Sequence, residues 1–125
     1  LFSEGVLTGK IDLHQFVALT AANPSRMYGR DPRKGTIAVG SDADMVIWDA
    51  KRAVTIRNSA LHHAVDYTPY EGMQITGWPA LTLSRGETVW ADGEFRGRPG
   101  HGEFLRCALP APARPRPRDL QHSFL

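Results

Sequence analysis

An apolar stripe of helical period dominates the first part of the chain. Asp12 is predicted to cap a helix, with Gln15 three residues later as its capping-box partner. The stripe recurs every three or four residues and consists of Leu13, Phe16, Val17, Thr20 and Ala21. We expect Asn23-Pro24 to break this helix and start a second one, with Asn23 as N-cap and Gly29 as the left-handed stop. The pattern predicts two helices with one buried face, which needs a large apolar surface to lie against.

Beyond Asp31-Pro32 the hydrophobic spacing changes to that of short strands. The run from Met45 to Trp48 is continuously apolar, which is expected of a strand covered on both faces. Further strands are predicted over three ranges, 54–56, 74–76 and 80–95. The range 74–76 ends before Gly77. Two turn signals, Arg85-Gly86 and Asp92-Gly93, divide the range 80–95 into separate strands.

Two helices, about five short strands and a tail define an α+β fragment. We divide the chain into helices at 1–30, strands at 31–96 and a C-terminal extension at 97–125, which is rich in Pro and Arg and predicted to be disordered after 109. A small sheet of this kind has open edges, which a complete protein pairs or covers. Because the chain opens with Leu1 and not Met, we expect a fragment or a processed product whose missing N-terminal part supplies the pairing strands.

Composition argues against membrane and secreted proteins. No apolar run approaches the roughly 20 residues that a membrane helix needs, and no signal peptide is visible. The single cysteine, Cys107, excludes an internal disulfide and fits a reducing compartment. We therefore expect a cytoplasmic protein that does not bind a membrane.

The net charge of +2 is unevenly distributed along the chain. From Arg96 onward, the sequence contains six arginines and only two acidic residues, Glu103 and Asp119, so this stretch carries a net charge of +4. Prolines and arginines alternate there, which favours extended polyproline II and offers little surface to bury. Because the Pro/Arg segment from Pro110 to Arg118 lacks the aromatic side chains needed for base stacking, a solvated or partner-contacting tail is the preferred interpretation and no nucleic-acid partner is expected.

Five histidines raise the question of a metal site: His14, His62, His63, His101 and His122. His14 lies on the predicted first helix, away from the apolar stripe. His62 and His63 are adjacent, so in a strand they would point to opposite faces. Neither a His-x-His pair nor an i, i+4 pair is present, and these are the spacings that place two imidazoles on one ion. We expect no metal ligand in this chain.

Other reactive side chains also lack the context that catalysis requires. Cys107 has no evident base partner, and neither Ser41 nor Ser84 lies in a Gly-x-Ser-x-Gly elbow. Asp42 and Asp44 resemble a carboxylate pair, but they follow a Gly-Ser turn. The preferred interpretation is that both aspartates accept hydrogen bonds from backbone donors in the turn that starts the Met45–Trp48 strand. We therefore expect no catalytic residue and no substrate-binding residue in the chain.

The segment from His62 to Gly72 is the richest polar and aromatic cluster. Two interpretations of it stay open. It could border an active site or a subunit interface. Alternatively, it is an ordered loop in which the tyrosine hydroxyls and Asp66 satisfy one another.

Two motifs resemble the amidohydrolase superfamily. The stretch from Lys34 to Asp49, which contains Gly40-Ser41-Asp42-Ala43-Asp44 before the apolar strand, resembles its signature, and residues 23–29 resemble its last barrel helix. The resemblance implies that residues 1–30 are terminal helices of a (β/α)8 metal-dependent hydrolase barrel. Residues 31–96 would then be strands of a small composite β-sandwich, followed by the extended C-terminal tail.

A narrower resemblance points to D-hydantoinases and dihydropyrimidinases. It rests on Val65–Met73, on Gly77-Trp78-Pro79 and on Gly97–Gly102, and the whole resemblance spans roughly residues 1–109. Allantoinases and dihydroorotases share the Asp-Ala-Asp strand but usually lack the Tyr-Glu-Gly form of the loop. The resemblance implies an enzyme that opens cyclic amides to N-carbamoyl amino acids by metal-activated hydroxide.

The family implies two divalent metal ions, usually zinc, held by histidines, an aspartate and a carboxylated lysine. All of these ligands, and the substrate-contacting residues, are expected upstream of Leu1. None of the three lysines in the first half of the chain lies in a matching context: Lys10, Lys34 and Lys51. This segment alone is therefore predicted to be structural and inactive. For the complete protein, the resemblance implies a homodimer or homotetramer, in which the tail after Phe104 reaches a neighbouring subunit.

Three function hypotheses remain. The first is part of an active hydantoinase or dihydropyrimidinase, with a related amidohydrolase such as allantoinase as a variant of it. The second is part of a non-catalytic dihydropyrimidinase-like protein, which keeps the fold and acts through partners. The third is a free-standing β module that binds through the His62–Gly72 segment, which we call the Tyr-rich loop. The unpartnered apolar stripe argues against this hypothesis.

Overall fold

The computed structural model describes residues 1–110, so the predictions for His122 and for the tail after 110 lie outside it. The helical elements are a π-helical turn at Phe2–Val6, helix α1 at Leu13–Val17, a second π-helical turn at Ala18–Ala22, helix α2 at Asn23–Met27 and a 3-10 turn at Asn58–Ala60. The strands are β1 at Met45–Thr55, β2 at Gln74–Ser84, β3 at Glu87–Ala91 and β4 at Glu94–Phe95. Two helices beside an antiparallel sheet confirm the α+β class.

The start of α1 follows the predicted capping box. The Gln15 amide donates to Oδ1 of Asp12 at 2.7 Å, and the Asp12 amide donates to Oε1 of Gln15 at 2.9 Å. Two of the backbone donors that a helix start leaves unpaired are satisfied in this way.

The predicted break at Asn23-Pro24 is wrong. Asn23 has helical angles, with φ −67° and ψ −47°, and its amide donates to the Ala18 carbonyl five residues earlier. The wider π turn shifts the hydrogen-bond pattern, so the missing amide of Pro24 is accommodated without ending the helix. Asn23 is therefore not an N-cap, and α1 continues through the turn into α2.

Gly29 ends α2 as predicted, with φ +63°. The Arg30 amide donates to the Ser25 carbonyl at 2.8 Å and the Gly29 amide to the Arg26 carbonyl at 3.2 Å. This pair of bonds is a Schellman motif. The loop that follows is held against α2, because Oγ of the buried Ser25 donates to the Lys34 carbonyl at 2.6 Å.

The sheet is antiparallel with the order β1-β2-β3-β4. Both predicted hairpin turns are confirmed. The central residues have positive φ in each turn, at Arg85 (48°) and Gly86 (83°), and at Asp92 (56°) and Gly93 (87°). Such two-residue turns match the twist of the strands that they join.

The first two strands are longer than predicted. The expected strands at 45–48 and 54–56 are joined in β1, which has 11 residues, and those at 74–76 and after 80 are joined in β2, also with 11. Gly77 interrupts the register at φ +95° but does not end the strand. A glycine inside a strand often marks such an irregularity. Because predicted strands are joined in β1 and in β2, the about five predicted strands become four in the described part of the chain.

The expectation that Met45–Trp48 is covered on both faces is wrong for residues 1–110. Val46 is 53% exposed and Ile47 57% exposed, and β1 forms one edge of the described sheet. The apolar contacts between the helical segment and the sheet centre on a small aromatic cluster. The ring centroid of Phe2 lies 5.6 Å from that of Phe16 and 5.4 Å from that of Trp48. The apolar stripe is likewise only partly covered.

Candidate functional site

An open apolar groove lies between the helices and β1. Its volume is about 1560 Å³, and its apolar walls include Leu13, Phe16, Val17, Met45, Val46 and Trp48. Small-molecule pockets usually measure about 300–1,000 Å³ and enclose most of their ligand. Because the groove is larger and its walls remain exposed, it suits a packed polypeptide better than a small substrate.

A cluster of charges forms part of the groove wall, where Lys34, Asp42 and Asp44 lie. Nζ of Lys34 is 2.8 Å from Oδ2 of Asp42 and also contacts Oδ2 of Asp44, while Nε of Arg33 lies 3.0 Å from Oδ2 of Asp42. The two aspartates thus share one lysine. We call Arg33, Lys34, Asp42 and Asp44 the charged junction.

The sequence-based prediction for the aspartates is only partly correct. Oδ1 of Asp44 does accept a backbone hydrogen bond, but from the Arg85 amide in the β2–β3 turn, at 2.7 Å. Asp42 contacts side chains, not the backbone donors of its own turn. The Asp-Ala-Asp motif therefore joins the start of β1 to the facing hairpin.

These contacts change the acidity of the carboxyl groups. The hydrogen bond from Lys34, helped by Arg33, lowers the pKa of Asp42 below its usual value. Partial burial alone would raise the pKa of Asp44, but hydrogen bonds from the Lys34 ammonium and the Arg85 amide outweigh it, so the pKa of Asp44 is lowered as well. Both carboxylates are consequently held ionised, as a structural ion cluster requires.

The C-terminal extension reaches the same region. Oε2 of Glu103 lies 2.7 Å from Nη1 of Arg85 and 3.3 Å from Nη2 of Arg33. The charge pattern of the sequence predicted no ion pair for these two arginines or for Glu103. The only sequence signal was that Glu103 is one of two acidic residues in a basic extension, and its partners are 18 and 70 residues away.

The histidines are dispersed over the structure. His14 is exposed on α1, and the His62 ring packs 5.1 Å from Trp90. Nε2 of His101 lies 3.1 Å from the Ser84 carbonyl oxygen. Within residues 1–110, no three His, Cys, Asp or Glu side chains converge as metal ligands. A binuclear metal centre therefore does not fit the residues that the structure describes.

The candidate nucleophiles also occupy structural positions. Oγ of Ser41 donates to the Pro32 carbonyl at 2.7 Å, and Ser84 is the last residue of β2. Cys107 is exposed in the extension. Among residues 1–110, the hydrogen bonds of the structure link none of the three to a base.

The Tyr-rich loop is anchored by its backbone and by Glu71. The Gly72 amide donates to the Ile56 carbonyl at 2.8 Å, and Oε2 of Glu71 accepts from the Asn58 amide at 2.6 Å. Tyr67 is 68% exposed and Tyr70 59% exposed. The loop is therefore ordered through contacts other than those expected between the tyrosines and Asp66, and the exposed rings are free to border another surface.

No helix within the described 110 residues is both long and apolar enough to cross a membrane.

Comparison with known proteins gives consistent matches. The model of the amidohydrolase family matches residues 3–89. The D-phenylhydantoinase of Escherichia coli O1:K1 / APEC is 50% identical over 106 residues, which is 85% of this chain and 23% of that protein. The D-hydantoinase of Geobacillus stearothermophilus is 48% identical over 108 residues, covering 86% of this chain and 23% of that protein.

Solved structures agree with the sequence relatives. The dihydropyrimidinase from Brevibacillus agri NCHU1002 superposes with a TM-score of 0.85 at 46% identity, covering 92% of this chain and 24% of that chain. The chain therefore spans about a quarter of the length of the relatives it matches. The resemblance to hydantoinases and dihydropyrimidinases is confirmed.

Proposed function

Because the chain belongs to the amidohydrolase family, we propose that it forms part of a cyclic-amide hydrolase that opens hydantoin or dihydropyrimidine rings to N-carbamoyl amino acids. Relatives named D-phenylhydantoinase, D-hydantoinase and dihydropyrimidinase support this substrate class. Identity near 50% over 85% of the chain is the observation that carries the proposal.

Within that enzyme, this chain has a structural role. Residues 1–30 contribute the terminal helices of the catalytic barrel, residues 31–96 the strands of the smaller sandwich domain, and residues 97–125 an extension. The open groove supports this role, because its exposed apolar walls need a covering layer and the chain spans only about a quarter of its relatives. The remainder of the hydrolase would supply that layer.

The catalytic machinery is assigned to residues outside this chain. The two divalent metal ions that the family implies, usually zinc, would bind there, since the histidines described in 1–110 do not converge. Metal ions supply the activation of water and the polarisation of the amide carbonyl in such enzymes. The chain alone is inactive under this proposal.

The proposal extends to assembly and location. We expect a homodimer or homotetramer, which the exposed apolar and aromatic side chains of the described residues support. A cytoplasmic location is supported by the single cysteine, because a reducing compartment disfavours disulfides.

The test begins with the coding sequence upstream of the Leu1 codon. An intact set of upstream metal ligands is expected, and the complete protein should then hydrolyse hydantoin or dihydrouracil in a metal-dependent assay. The purified 125-residue chain is the matched negative control. An open reading frame with those ligand positions replaced, and no hydrolysis of either ring, would instead favour the non-catalytic relative.

A further inference from the structure

The C-terminal extension runs from the sheet back to the end of α2. After β4, Nη2 of Arg98 lies 2.8 Å from Oε1 of Glu87, on the β2–β3 hairpin. Ten residues later, the Ala108 amide donates to the Gly29 carbonyl at 2.9 Å. The extension therefore connects two elements that are far apart along the chain.

His101 fastens the middle of the extension to the hairpin. Its Nε2 lies 3.1 Å from the Ser84 carbonyl oxygen, and its side chain is only 12% exposed. The Arg85 guanidinium also donates to the His101 carbonyl. Both contacts hold the extension beside the β2–β3 turn.

Glu103 makes a different kind of contact, because it joins two elements. A single carboxylate oxygen faces Nη1 of Arg85 in the hairpin turn and Nη2 of Arg33 in the loop after α2. All three side chains are partly exposed, at 52%, 30% and 47% for Glu103, Arg85 and Arg33. Ion pairs with that exposure are screened by salt and open reversibly.

The residues after Glu103 lie along the groove. Phe104 and Leu105 line it, and Phe104 is 87% exposed. We propose that residues 98–108 are a strap along the charged lining of the groove, and that the Arg33–Glu103–Arg85 bridge is an ionic latch whose opening releases the strap while the sheet stays folded. This proposal rests on the contacts of the chain itself and is independent of the hydrolase activity.

Hydrogen exchange in the complete protein tests the latch. Glu103→Gln keeps the shape of the side chain and removes its charge; Glu94→Gln is the matched control, since Glu94 forms an exposed ion pair with Arg96 outside the strap. We expect the two hydrogen-bonded amides of the strap, His101 and Ala108, to exchange about tenfold faster in the Glu103 variant, with β2 and β3 unchanged. In the unmodified protein, 1 M salt should accelerate the same amides, and the Glu103 variant should respond less to salt, because the exposed Arg98–Glu87 pair is still screened.

A combined variant separates a latch from a general packing role. In an Arg33→Met/Arg85→Met background, Glu103→Gln should add no further acceleration, because its partners are already absent. Equal exchange in the Glu103 and Glu94 variants would overturn the proposal. So would acceleration that spreads equally through β2 and β3, since that result indicates loosening of the whole sheet.

Discussion

A β-carbon added to Gly77 would lie 2.8 Å from Cε1 of Phe2, because β2 passes directly against the Phe2 ring at this glycine. The same β-carbon would lie 2.7 Å from Nε1 of Trp48. Gly77 also has φ +95°, a conformation that side-chain-bearing residues rarely adopt. One glycine thus allows the helical N-terminal segment, β1 and β2 to meet.

Gly77→Ala should destabilise the complete protein strongly. Backbone strain and overpacking together predict a loss of about 2–4 kcal/mol in the free energy of unfolding of this region. The matched control is Gly93→Ala, at φ +87° with nothing within 4 Å of the added carbon. That change should cost only about 1 kcal/mol of strain. Urea unfolding followed by tryptophan fluorescence compares the two, and equal losses would contradict the assigned contact.

Gly29→Ala should loosen the extension from α2. The added β-carbon would lie 2.7 Å from the Ala108 carbonyl carbon, so the hydrogen bond between the Ala108 amide and Gly29 must lengthen or break. We expect faster hydrogen exchange at Ala108 and earlier proteolytic cleavage near Cys107. Gly9→Ala controls for backbone strain, because Gly9 has φ +73° and open space around it. Indistinguishable cleavage of the two variants would argue against close packing at Gly29.

Acid should weaken the charged junction. The folded-state pKa values of Asp42 and Asp44 lie below their usual value of 3.8. Their contribution to stability is therefore fully present above that pH and is lost as the pH falls through the lowered values. We expect Asp42→Asn to lower the urea midpoint at pH 7 and to flatten its decline below pH 4. Asp66→Asn, in the exposed Tyr-rich loop, is the control; a pH profile of the Asp42 variant parallel to that of the unmodified protein would refute the assignment.

The isolated 125-residue chain should be a poorly cooperative domain. Leu13 is 58% exposed, Val17 52% and Val46 53%, all along the groove. Each such side chain is worth about 1.5–3 kcal/mol when buried, a large share of an ordinary stability margin. We expect aggregation, strong binding of a hydrophobic dye and a broad urea transition. A sharp two-state transition with little dye binding would show that the groove needs no covering layer.

Local chemistry accounts for the features that the sequence predicted correctly. The Asp12–Gln15 capping box, the Gly29 stop and the two-residue hairpin turns each depend on neighbouring residues. The break at Asn23 failed for a related reason: a π turn in the preceding residues can accommodate Pro24, and no local rule distinguishes that arrangement from a new N-cap.

Long-range contacts account for what sequence reasoning missed. Asp44 accepts from an amide 41 residues away, and Arg33 contacts Glu103 across 70 residues. Nothing in the spacing of charges indicates such pairs, because their distance depends on how the hairpin and the extension pack. The apolar Met45–Trp48 run was predicted correctly as a strand, but its exposure depends on layers that residues 1–110 do not supply.

The sequence by itself determined the class of elements, their turns and the family resemblance, because backbone preferences and short motifs are encoded by adjacent residues. Only the tertiary structure decided that Gly77 lies against Phe2, that Lys34 joins two aspartates, and that Glu103 bridges two arginines. The physical reason is that burial of apolar side chains sets the relative position of the elements. Polar contacts between distant residues then form where that packing brings their charges together.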